Sequence, residues 1–137
     1  MPGFDKFTYQ GEPFRGEFSA VDATTQVLTT AAGHQFSLFA AGSTTAITVN
    51  TGDRVMISDI LLVAQATDTF TIYDGTDINA DVGEKLATVR VSTNNGYAAV
   101  SLNTPAVCQA SIVPKIIGSS TVANLVATIY GVVKRAV

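Results

Sequence analysis

Cysteine, histidine, tryptophan and charge are all scarce in this 137-residue chain, and each scarcity removes a class of chemistry. A single cysteine, Cys108, can make neither an intrachain disulfide nor a cysteine-based zinc site. Its neighbours Val107 and Ala110 mark it as a buried thiol, and no base or cation stands beside it in sequence to activate it. A Ser-His-Asp or Cys-His relay needs a histidine, and the one present, His34, follows Ala31-Ala32-Gly33 at the opening of a strand. That is the setting of a surface or turn-edge side chain. With no tryptophan, sugar stacking would fall to Tyr73 and Tyr97, both in or beside expected strands and so read as packing residues. Gly42 and Gly52 stand singly, so no glycine-rich phosphate cradle is formed. The expectation is a protein that is not an enzyme and holds no cofactor.

Charged residues make up 14% of the chain, against roughly 25% in an ordinary soluble domain. The eight basic residues are scattered and the formal net charge is −3, which argues against a nucleic-acid partner. Apolar residues reach 47% and mean hydropathy is +0.31, yet they are interleaved with Thr, Ser and Asp. No run approaches the ~18 apolar residues of a membrane-spanning helix. Part of the surface is therefore expected to be covered by other polypeptide in an assembly. Met1 to Lys6 has neither a basic stretch nor a following apolar run, so no secretory leader is expected and folding is placed in a cytoplasm.

Two acidic features merit a ligand test. Asp77, Asn79 and Asp81, preceded by Asp74, resemble the start of a calcium loop, but Val82 replaces the required Gly and Thr88 the bidentate Glu. A plain polar loop is the preferred expectation. Asp59 lies within an apolar strand, where a carboxylate needs a partner; Arg54, Arg90 or a backbone amide is expected beside it.

What is abundant is strand-forming. From about Thr25 onward Thr, Val, Ala and Ile dominate and turn residues recur at short intervals. Strands are predicted at 26–30, 34–39, 45–49, 54–64, 69–73, 85–91, 97–102, 109–114 and 122–133. Turns are predicted at 50–53, 74–77, 94–96 and 118–120, with Asn95-Gly96 the strongest hairpin signal. Val122, Asn124, Val126, Thr128, Tyr130 and Val132 alternate with Ala123, Leu125, Ala127, Ile129, Gly131 and Val133; one face reads as core and the other, with its Val, Thr and Tyr, as a subunit contact. The fold class expected is all-β, an antiparallel two-sheet sandwich and among those a jelly roll, occupying 25–137.

Residues 1–24 read as an extended N-terminal segment. It holds Phe4, Phe7, Tyr9, Phe14 and Phe18, separated by Gly, Pro and charged residues that forbid a sustained helix. It is either a first strand on its own core or an arm whose five rings anchor in a neighbouring subunit; the low charge elsewhere favours the arm.

The run Ile57-Ser58-Asp59-Ile60-Leu61-Leu62-Val63, then Thr-Phe-Thr-Ile-Tyr-Asp-Gly at 69–75, Asn103-Thr104-Pro105 before Val107-Cys108, and the closing Ile129-Tyr130-Gly131-Val132-Val133 resemble the small β-sandwich decoration (cement) proteins of tailed bacteriophages. The similarity spans somewhat more than half of the chain and lies in strand-and-turn texture. It implies a jelly-roll homotrimer on the capsid exterior, bound to the major capsid protein, with an N-terminal extension across neighbouring capsomers. It also implies a virion protein made in the host cytoplasm, with no membrane or nucleic-acid partner. A phage tail-tip or fibre head, or a carbohydrate-binding sandwich using loop 73–81, is the alternative.

Overall fold

The computed structural model describes residues 11–20, 33–75, 84–119 and 124–136. They form nine strands: β1 (Gly11–Ala20), β2 (His34–Gln35), β3 (Ser37–Ala40), β4 (Arg54–Ala64), β5 (Asp68–Tyr73), β6 (Lys85–Val91), β7 (Gly96–Val107), β8 (Lys115–Gly118) and β9 (Leu125–Lys134). A five-stranded sheet, β3-β1-β9-β4-β7, packs on a four-stranded sheet, β2-β8-β5-β6, and the strand pairs are antiparallel. This is the two-sheet sandwich expected from composition.

One core fills the space between the sheets. Ile57, Ile60, Leu62, Leu125 and Ile129 from the larger sheet meet Phe70, Ile72, Val89, Val91 and Ile116 from the smaller one. The β9 alternation is as predicted: Leu125, Ala127, Ile129 and Val133 are buried, while Val126 and Tyr130 are exposed.

β4 breaks its own alternation. Val55 and Ile57 point inward, and so do Ile60, Leu62 and Ala64, because the register against β9 slips between Ile57 and Asp59. Ser58 is the extra residue of a bulge. On the other side, Ser58 alone faces the four residues between Ser101 and Ala106 of β7. The bulge requires Gly131: a Cβ there would lie 1.8 Å from the Met56 carbonyl oxygen. Asp59, Leu61 and Val63 turn outward as a result.

Several other expectations change. Residues 11–20 are not part of an arm but a strand between β3 and β9. Phe14 and Phe18 are buried in the core of their own chain, with Arg15 and Glu17 alternating outward, so these two rings are not anchors for a neighbour. Gly16 and Pro13 interrupt the apolar period and hide this strand in sequence. Phe4, Phe7 and Tyr9 lie outside the described residues, as does the strand predicted at 26–30.

The strand predicted at 45–49 reduces to one bridge, Phe39 with Ala46. That predicted at 109–114 is instead a turn, with Ser111 at φ 71°. Its backbone N–H donates to Asp53 O at 2.8 Å and its hydroxyl accepts from Gly52 N at 2.8 Å, so this segment bonds to the 50–53 turn, where Gly52 takes φ 87°. Asn95 has the predicted positive φ, 54°, but its turn carries the chain from the smaller sheet to the larger and does not close a hairpin.

Because β1 is structural, Phe14→Ala is expected to cost about 3–5 kcal/mol, the usual range for emptying a phenylalanine site. Equilibrium urea unfolding measures this. Deleting residues 1–18, which removes most of β1, is expected to give an unfolded chain by circular dichroism.

Candidate interaction surface

The two outer faces of the sandwich differ in chemistry. On the smaller sheet, Thr69, Thr71, Thr88 and Arg90 face outward, with the Arg90 guanidinium donating to Thr69 Oγ1 at 3.0 Å. On the larger sheet, strand alternation brings apolar side chains into rows. Val126 of β9, Val63 of β4 and Tyr97 of β7 are directly opposite one another in one row; Val132, Met56 and Val107 form another. Thr128, Leu61 and Ala99 lie between them. Neighbouring strands are ~4.8 Å apart, so these side chains form a continuous surface.

Among the described residues, the large hydrophobics that are exposed are Val63, Tyr97, Val107, Val126 and Tyr130, and all five belong to this face. Tyr97 is 73% exposed, which corrects its reading as a packing residue. Tyr73, by contrast, is buried; desolvation raises its phenol pKa above the ordinary value.

Asp59 lies within this face, turned out by the bulge. Its carboxylate accepts from Ser101 Oγ at 2.7 Å and from Ser58 Oγ at 3.0 Å. The expected partners Arg54 and Arg90 are not used: Arg54 donates to Cys108 O at 3.4 Å, and Arg90 belongs to the other sheet. Toward β1 the face becomes charged. Arg15 Nε lies 3.5 Å from a Glu17 carboxylate oxygen, and its guanidinium carbon is 5.4 Å from the Phe39 ring centroid.

The candidate chemical residues have structural partners. His34 stacks on Phe18, with ring centroids 5.0 Å apart. Asp74 is buried and accepts from Gln109 N at 2.8 Å, while Asp77, Asn79 and Asp81 of the acidic loop lie outside the described residues. Among the described residues no group of three or more His, Cys, Asp or Glu is placed to hold a metal ion. Cys108 is fully buried, and its thiol is pushed up to about 12 by desolvation and then by the nearby Asp74 charge.

At one end of the sandwich a charged clasp ties the chain together. Asp53 is buried and accepts from Asn50 N at 2.9 Å, Ala136 N at 2.8 Å and Arg135 Nη1 at 2.6 Å. Arg135 also reaches Glu12 of β1 at 2.7 Å. The backbone N–H of Ala136, then that of Asn50, then the Arg135 guanidinium hold the Asp53 carboxyl below its ordinary range.

Comparison with family models, with curated proteins and with solved structures gives no match. The outward set on β9 was legible in the alternation of 125–133. Tyr97 reads in sequence as a packing residue, and Val63 and Val107 carry no signal there, because their exposure depends on the bulge and on β7 lying at a sheet edge.

Two outcomes are expected here. Cys108 will not react with a chromogenic disulfide reagent near pH 8 in the native protein, and one thiol will appear in denaturant. Asp53 contributes stability above the ordinary carboxyl pKa, and this is lost as pH falls below about 4 through its lowered value. Asp53→Asn is therefore expected to lower the thermal midpoint at pH 7, and to lose less than the wild type between pH 4 and pH 2.

Proposed function

We propose that this chain is a structural virion subunit, a decoration or cement protein of the tailed-phage kind. In this reading it forms a homotrimer and clamps major capsid subunits from the outside of the shell, after synthesis in the host cytoplasm. The observation that carries it is the segregation of exposed large apolar side chains onto one sheet face. Contiguous apolar surface of that kind is the mark of an interaction site. Covering it removes apolar area from water at about 25 cal/mol per Å². Repetition over a lattice multiplies a modest contact into a large stabilisation.

The topology lends support. Without β3, the sheets read β1-β9-β4-β7 and β2-β8-β5-β6. The chain then crosses between sheets at every connection except β5–β6, an order that supports a jelly roll. Phe4, Phe7 and Tyr9 remain the proposed anchors for the shell. Covalent chemistry has no part in this function.

One observation favours a second reading, a fibre-head or carbohydrate-binding module: the 73% exposed Tyr97 could stack a sugar ring. The loop first assigned to that role loses its aromatic, since Tyr73 is buried.

Mixing the protein with empty phage shells and sedimenting them tests the leading proposal. The full chain is expected to co-sediment. Deleting 1–10, which spares β1, should keep the fold and abolish co-sedimentation. Val126→Glu should weaken shell decoration at least tenfold with little change in thermal midpoint. A monodisperse monomer that ignores every shell and binds a glycan through Tyr97 would replace the proposal with the second reading.

A further inference from the structure

β9 is the middle strand of the larger sheet, and the outer face carries opposite charges on either side of it. In the row through Tyr130, Arg15 of β1 lies on one flank and Asp59 of β4 on the other. Phe39 continues the row beyond Arg15, and Ser101 beyond Asp59. Between the charges, β9 presents Val126, Thr128, Tyr130 and Val132 outward, with Lys134 exposed at its far end opposite Arg54.

Both charges have unused capacity. Asp59 is served by two hydroxyl groups, and among the described residues no ion pair includes it. Arg15 Nε is buried and makes no hydrogen bond, although Glu17 lies 3.5 Å away. A carboxylate set among apolar residues is costly to cover unless its occupant brings a cation.

We propose that the outer face of the larger sheet is covered by further copies of this chain, arranged about a rotation axis along β9 so that Arg15 of each copy binds Asp59 of the next. This rests on reading the face as the assembly surface. An axis along β9 pairs these two charges. A rotation about the β9 direction keeps each row at its own height and exchanges the two flanks, so the β1 side of one copy faces the β4 side of another. A rotation axis across the strands through this same row would instead set Arg15 on Arg15 and Asp59 on Asp59, and like charges oppose such packing.

Tyr130, Val126 and Val132 converge on the axis, and Lys134 stays at its rim at the end of β9. Pro13 meets Met56 and Val107, Ser19 meets Val63 and Tyr97, and Glu17, paired with its own Arg15, lies over Leu61 and Ala99. Arg15 then bridges its own Glu17 and the neighbour's Asp59. An apolar centre flanked by paired charges is the usual anatomy of a protein interface. Two-fold and three-fold axes satisfy this arrangement equally, and the covalent product distinguishes them.

The test is a cysteine pair, Arg15→Cys with Asp59→Cys, in the full chain without any shell. Positions 15 and 59 are two strands apart, about 9.5 Å, beyond the reach of an intrachain disulfide. Native Cys108 is buried and takes no part. Under mild oxidation the double variant is expected to form a covalent dimer for a two-fold axis or a covalent trimer for a three-fold axis. Each single variant should remain uncrosslinked, and mixing the two should give a covalent pair. Asp59→Arg alone is expected to weaken self-association at least tenfold by light scattering, with Arg15→Glu restoring it on mixing. A monomeric wild type, a folded oligomer that forms no 15–59 crosslink, or Arg15→Cys crosslinking to itself would each overturn the inference. The shell proposal fails separately, through loss of co-sedimentation while the crosslink still forms.

Discussion

Between Ile57 and Asp59 the register of β4 slips against β9, and the two-residue alternation of the strand restarts in the opposite phase. Val55 and Ile57 enter the core before the slip; Ile60, Leu62 and Ala64 enter it after. Without Ser58 as an extra residue, one of these groups would face water, forfeiting about 1.5–3 kcal/mol for each large side chain left unburied. The bulge needs Gly131 opposite it, since the Met56 carbonyl oxygen occupies the space of a side chain. The same slip turns Asp59, Leu61 and Val63 outward. Core packing and surface chemistry therefore depend on one local irregularity.

The free ends of this arrangement are held by a second constraint. Asp53, in the turn before β4, gathers Asn50 N, Ala136 N and Arg135, and Arg135 continues to Glu12 at the start of β1. Three segments far apart in sequence meet around one buried carboxylate. Strand β9 is thereby fixed at its end as well as along its ladders with β1 and β4. A central strand held in this way gives its outer side chains a definite register, which the proposed self-association needs.

Much of the sandwich was legible in sequence because period-two patterning survives where strands are buried on one side. The strands at 54–64 and 85–91 have the predicted bounds, and both faces of β9 were assigned from its alternation alone. Reading failed where local chemistry was ambiguous. β1 was taken for an arm because Pro13 and Gly16 break its apolar run, although Phe14 and Phe18 keep the two-residue spacing of a core strand. The 109–114 segment has strand-like composition, but its backbone groups are claimed by the 50–53 turn. A bulge cannot be read from composition, so the positions of Asp59 and Tyr97 had no earlier signal.

Self-association of a sandwich can proceed through strand edges or through a face, and the edges here are poorly suited to it. β3, at one edge of the larger sheet, has only four residues. β7, at the other, places four residues opposite Ser58 and carries Pro105, which lacks the N–H that edge pairing needs. On the smaller sheet β2 has two residues, and β6 exposes Lys85 and Arg90. These features discourage open-ended strand addition while leaving the apolar face of the larger sheet uncovered. A face can close around an axis, whereas head-to-tail addition at strand edges propagates. The scarcity of charge, the blunted edges and the Arg15–Tyr130–Asp59 row together favour a closed assembly of defined size.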